Sequence, residues 1–173
     1  MLPNHMMPEG VKVELLAHAV DLATAGLTSL PYVNMTGYFQ CNFVFLKKAG
    51  GSGQDPVISM QQAQAAAGTG VKALTFENIF TRTSASSIGA GGVEVDTHVT
   101  QVAASTWTAA IGNHEAIIQI PVFASWLDRN ASTPYAWVRP SVSDPGATAQ
   151  VMTVLALLSP ARHVGAPLRT VLS

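Results

Sequence analysis

The chain has 173 residues, 48% of them apolar and 11% charged, with 9 Lys plus Arg against 10 Asp plus Glu. Soluble domains carry roughly 25% charged residues, so the scarcity of charge is the main compositional feature. A net charge of -1 gives no field to gather phosphates, and Lys47 with Lys48 is the one adjacent basic pair, so nucleic acid is not an expected partner.

A domain of this size buries roughly 70% of the surface its unfolded chain exposes, which is enough for one core. One domain with tails is expected. The single Cys41 cannot close an intramolecular disulfide, and no Cys/His group has zinc-finger spacing. The early apolar stretch Val11 to Leu27 is interrupted by Lys12, Glu14, His18 and Asp21 and has no basic region before it, so secretion is not indicated. No run reaches the roughly 18 apolar residues of a membrane helix, and the longest, Val151 to Leu158, is about half that, so no membrane partner is expected either.

Residues 1 to 10 hold Pro3, Pro8, Gly10 and three Met without an amphipathic period, and read as an arm. Val11 to Gly26 fits two templates: Leu15, Ala19, Leu22 and Ala23 make a helical stripe, while Val11 to Leu15 alternates with period two. Tyr38 to Leu46 is aromatic and β-rich, with Phe39, Cys41, Phe43 and Phe45 on one face, and predicts a strand. The run Lys47 to Pro56, with three Gly, turns the chain. Val57 to Ala63 is read as a strand although Gln61 to Ala67 has strong helix propensity.

Lys72 to Thr83 alternates and predicts one strand, followed by a mobile loop of small residues from Ser84 to Gly92. His98 to Ala109 predicts another strand. His114 to Phe123 reads as a buried strand in which Pro121 calls for an edge or a bulge. Pro134 to Val142 and Gln150 to Leu158 complete the set, with Ser143 to Gly146 turning between them. Seven or so short strands at near-regular spacing give a mainly β domain, a β-sandwich or jelly roll.

Candidate chemistry is sparse. Cys41 lies on the inward face of an aromatic strand, where it reads as a small buried hydrophobe rather than a nucleophile. His5, His18, His98, His114 and His163 show no ligand spacing, and His114-Glu115 lacks the second His of a zincin, with Ile118 in its place. The Gly50 to Gly53 loop lacks the Lys-Ser/Thr ending of a phosphate-binding loop. Asp55, Asp96, Asp128 and Asp144 sit in or beside predicted turns, and Trp107, Trp126 and Trp137 are too dispersed for a carbohydrate platform. No catalytic residue, cofactor or metal is assigned.

The runs Tyr32 to Tyr38, Phe43 to Gly51, Asp55 to Ile58 and Lys72 to Phe76 resemble a family of small structural proteins of tailed bacteriophages. Thr106 to Thr108, Glu115 to Val122, Ser125 to Asp128, Tyr135 to Arg139 and Leu155 to His163 follow in the family's order, so the similarity spans roughly residues 30 to 163. These motifs are turn-and-strand patterns, and they carry no catalytic residues over. The resemblance implies an auxiliary capsid protein, a decoration or cement protein on the outside of the phage head. Its partners would be the major capsid protein and its own copies, a trimer ahead of a dimer, and it would be made in the host cytoplasm and located on the virion capsid surface.

On this reading residues 1–30 form an N-terminal arm, 31–163 a β-sandwich and 164–173 a C-terminal tail. Extended arms cover much neighbouring surface and become ordered on binding. The expected capsid or oligomer contacts are Leu2, Met6, Met7, Val11 and Leu15 in the arm and Val164, Leu168, Val171 and Leu172 in the tail. Arg82, Arg129, Arg139, Arg162 and Arg169 are candidate polar anchors, with ordinary solvated arginine as the plainer role. The alternatives are a tail or head-tail joining protein, or a small hydrolase or lectin-like module using Cys41 or a His.

Overall fold

Period-two burial organises the long inner strands of the computed structural model, which describes residues 11–85, 88–89, 93–102, 104–128 and 132–160. The described strands are β1 (Lys12–Asp21), β2 (Val33–Asn34), β3 (Tyr38–Lys47), β4 (Val57–Ala63), β5 (Lys72–Ala73) and β6 (Asn78–Ser84). They continue with β7 (Glu94–Thr100), β8 (Thr106–Thr108), β9 (Glu115–Phe123), β10 (Trp137–Val142) and β11 (Val151–Pro160). The one helical element among the described residues is a 3-10 turn at Ala124–Trp126. No helix among them is long and apolar enough to cross a membrane.

The strands form two antiparallel sheets. One runs β1-β11-β3-β9-β6-β7, and the other runs β2-β10-β4-β5 with β8 also paired to β4. The chain is thus a mainly β, sandwich-like domain. The larger sheet supplies Cys41, Phe43 and Phe45 from β3, Ile118, Ile120 and Val122 from β9, and Met152, Val154, Ala156 and Leu158 from β11, all fully buried. The smaller sheet supplies Ile58, Met60, Val138 and Val142, and Leu22, Leu74 and Phe76 fill the seam in the same cluster. Each large side chain removed from water contributes about 1.5–3 kcal/mol.

The glutamine-rich β4 is a strand, as read from the sequence, because tertiary pairing overrides propensity. Six residues, Ile58 to Ala63, pair with β10. Gln62 faces inward with Ile58 and Met60, and its Oε1 accepts the Asp128 N–H at 2.9 Å. Helix-prone Gln64 to Ala67 falls in the turn beyond it.

Four expectations are corrected. The ambiguous Val11 to Gly26 segment contains β1, which pairs with β11 from Lys12↔Leu158 to Asp21↔Val151. Residues 12–21, which the sequence reading placed in the N-terminal arm, are therefore built into the sheet, and an arm reaching residue 30 does not match its boundary. Lys72 to Thr83 is two strands, because Leu74 and Phe76 between them cross the seam. The Leu74 N–H donates to Met60 O in the small sheet, while β6 pairs with β7 and β9 in the large one.

His98 to Ala109 is likewise divided. β7 ends at Thr100 in the large sheet, and β8 pairs with β4 in the small one. Finally, β9 is neither an edge strand nor bulged at Pro121. It lies between β3 and β6, and Pro121 pairs in register with Asn42. The β9 ladder to β6 ends at Gln119↔Phe80, so Pro121 lies beyond it on that side.

Candidate interaction surfaces

Strand alternation gives the six-stranded sheet a second face, directed away from the smaller sheet. Residue pairing carries one row across all six strands, through Leu15, Leu155, Val44, Gln119, Phe80 and His98. A neighbouring row runs through Thr153, Leu46, Ile117, Arg82 and Asp96. The β1–β11–β3 half carries Leu15, Leu155, Leu157, Val44 and Leu46 beside the polar Thr153, Asn42 and Gln40, and Leu15 and Leu46 stand 58% and 40% exposed.

The other half is polar and aromatic. Arg82 makes a two-pronged hydrogen bond to Asp96 at 2.8 and 2.9 Å, and these bonds hold the Asp96 carboxyl below its ordinary pKa. Phe80, 44% exposed, stacks on His98 at 4.5 Å, and His98 Nε2 lies 3.0 Å from Asn78 Oδ1. Asn42 Nδ2 donates to Gln119 Oε1 at 3.2 Å. A shallow trough of about 530 Å³ follows Phe80, Arg82, Asp96, His98 and Gln119, and a second of about 410 Å³ follows Asn42, Asn78, Pro121 and Phe123.

At one end of the sandwich Lys47 makes a buried polar knot. It follows Cys41, Phe43 and Phe45 on the inward face of β3 and is 3% exposed. Its Nζ donates to the carbonyls of Lys48, Ile111, Gly112 and His114 at 2.8–3.1 Å. Burial pushes its pKa down to about 8, against the opposing charge of Asp55. Asp55 also accepts the Gly112 N–H at 2.7 Å, and the Gly50 N–H donates to Gly112 O at 2.8 Å. A Cβ on Gly112 would lie 2.7 Å from the Gly51 and Gln54 carbonyl oxygens, so these loops require glycine there. The enclosed amine joins two connections, β3 to β4 and β8 to β9, and is shielded from any incoming substrate.

The residues proposed from sequence are differently placed. Leu2, Met6, Met7, Val164, Leu168, Val171 and Leu172 lie outside the described residues, as do Arg129, Arg162 and Arg169. Val11 is half-buried just before β1, and Leu15 projects from the outward face. Of the arginines, Arg82 is paired to Asp96 and approaches Glu94 at 3.7 Å. Arg139 is half-buried on the β10 face away from Val138 and Val142, 4.5 Å from the Tyr32 ring centre with its Nη2 donating to Gln61 Oε1 at 2.7 Å.

Cys41 and His114 are not brought together. Cys41 is fully buried, and that burial pushes its thiol upward, away from the reactive thiolate. It pairs with Val122 near one end of β9, whereas His114 precedes the other end, where Ala116 pairs with Lys47. Along β9 that separation is on the order of 25 Å. Among the described residues, no group of three or more His, Cys, Asp or Glu is placed to hold a metal ion.

The sequence reading missed Lys47 as a structural centre, although its inward position on β3 was readable. It also missed the outward aliphatic face. No protein-family model, curated protein or solved structure matches the chain.

Proposed function

We propose that this chain is an auxiliary capsid protein, which binds the outside of a phage head and stabilises contacts between major capsid protein subunits. Its own copies assemble with it. The phage structural-protein resemblance suggests the role, and the observation that carries it is the outward aliphatic band of β1, β11 and β3, exemplified by Leu15 and Leu46. Apolar side chains on an outward sheet face gain free energy only when another surface removes them from water. A shell protein provides such a surface without any chemical step.

Electron cryomicroscopy of the particle tests this reading. Density for the chain distributed over the outer head lattice is the expected result. Density confined to one ring at the neck or tail would overturn it in favour of a joining protein. Quantitative mass spectrometry of purified particles provides a second readout, because a lattice position requires many more copies than a single ring.

A further inference from the structure

Among the described residues, the two edge strands of the six-stranded sheet, β1 and β7, differ in kind. β1 carries register shifts between Leu15 and Ala17 and between Ala17 and Val20, and Ala19 has a φ of 49°. Bulges of this sort interrupt the row of backbone donors and acceptors that another strand could read, and they blunt an edge. At the opposite edge, β7 pairs with β6 through seven consecutive pairs without a shift, from Asn78↔Thr100 to Ser84↔Glu94. Among the described residues no strand pairs with its other side, and six of its seven residues are exposed. Two valines add apolar surface there, Val93 at 83% and Val95 at 52% exposure.

We propose that β7 is the docking edge for a second copy of this chain, joined antiparallel across a two-fold axis at Thr97, so that two six-stranded sheets continue as one. The pattern of Glu94–Thr100 is self-complementary about that residue. Antiparallel pairing centred on Thr97 sets Val95 opposite the partner's Val99 on the inward face. On the outward face it sets Asp96 opposite the partner's His98, and two-fold symmetry repeats both pairs. Opposite strand residues interact most strongly when apolar meets apolar and unlike polar groups meet.

The neighbouring centres are worse. An axis at Asp96 opposes the two Asp96 carboxylates, and an axis at His98 opposes the two imidazoles. The Asp96 side chain remains 68% exposed while bonded to Arg82, so its carboxylate can accept a further contact. A self-complementary patch gives a closed two-fold pair, in contrast to the three-fold association favoured from the sequence. The inference does not depend on the capsid reading, since it uses only the sheet edge and its residues.

Site-specific crosslinking of the full chain tests it. Cys41 is fully buried, so a cysteine introduced on β7 is the accessible thiol. Under mild oxidation Thr97→Cys should give a disulfide-linked species of doubled mass. Glu94→Cys should stay at single mass, because antiparallel pairing about Thr97 separates the two Glu94 positions by about 20 Å along the strand. Equal crosslinking at both positions would overturn the proposal.

The unmodified chain guards against a misfolded variant. It should sediment as a dimer that Val95→Lys converts to monomer, and the amides of 94–100 should exchange more slowly with deuterium as concentration rises. A monomer or trimer of the unmodified chain, or protection of these amides independent of concentration, would sink the idea.

Discussion

The two faces of the six-stranded sheet are built from the same strands, and over β1, β11 and β3 both carry aliphatic residues, although Phe43 and Phe45 lie inward and Gln40, Asn42 and Thr153 lie outward. On β3 one face presents Cys41, Phe43 and Phe45 to the smaller sheet, and the other presents Val44 and Leu46 outward. On β11, Val154, Ala156 and Leu158 point inward while Leu155 and Leu157 point outward. Aliphatic residues alone therefore do not mark which face is covered within the chain; the aromatic Phe43 and Phe45 do, since they lie on the face that the second sheet covers. Strands buried on both faces read as continuous apolar runs, and Phe43 to Leu46 and Val154 to Leu158 are such runs. They have the composition of strands with two covers; the second sheet covers one face, and on the other Val44 is only 8% exposed while Leu46 remains 40% exposed.

The sharpest way to break this comparison is a pair of truncations on opposite faces of β3. Phe43→Ala should lose about 3–5 kcal/mol of stability in urea unfolding, from lost transfer energy and the cavity left behind. Leu46→Ser should leave the isolated chain within about 0.5 kcal/mol of the parent, as for other surface changes. It should instead weaken attachment to the particle. A large loss of stability from Leu46→Ser would mean that the outward face is already covered within the chain.

The knot around Lys47 comes next in size, since it lies on the inward face yet is polar. Lys47→Met should cost about 2–4 kcal/mol at neutral pH, because removing the amine leaves buried carbonyls without their donor. The pH dependence has a definite sign. The folded pKa of about 8 lies below the ordinary lysine value of 10.5. Between these values the unfolded chain binds more protons, so stability from this group rises with pH across that window and is lowest below pH 8. The stability gap between the parent and Lys47→Met should widen from pH 8 to pH 10.5. A flat or narrowing gap in urea titrations would show that the carbonyl dipoles outweigh burial.

The same comparison explains what could be read beforehand. β3, β9 and β11 were legible because their inward residues alternate without interruption. The segments 72–83 and 98–109 also alternate, but period two carries no mark of where a chain leaves one sheet for the other, so each was read as a single strand. β1 was ambiguous for a physical reason. Its two register shifts move the inward residue off strict alternation, and Leu15, Ala19 and Leu22 then fall at helical spacing. At the candidate surfaces, Leu15 was singled out as a contact. Leu46 and Lys47 were not, because one was assigned only to the strand and the other to the turn that follows it.

Ala19 gives the smallest expected effect and tests the contrast between the two edges. Every other described residue with positive φ is a glycine, whereas Ala19 holds a φ of 49° in the blunted edge strand. An L-residue in this region carries a cost of about 1–2 kcal/mol from contact between its Cβ and the backbone. The exposed Ala19 side chain offers little burial in return, although its N–H donates to Thr153 Oγ1 at 3.0 Å. Ala19→Gly removes the Cβ cost and keeps that bond, but it adds unfolded-state entropy of about 0.5–1 kcal/mol. The net should be a gain of a few tenths of a kcal/mol, read as a slightly higher urea midpoint with unchanged slope. Ala19→Val should move the midpoint the other way, since β-branching is poorly tolerated at positive φ. If valine were accepted without loss, the bulge would not hold its strained conformation, and β1 would be as open to pairing as β7.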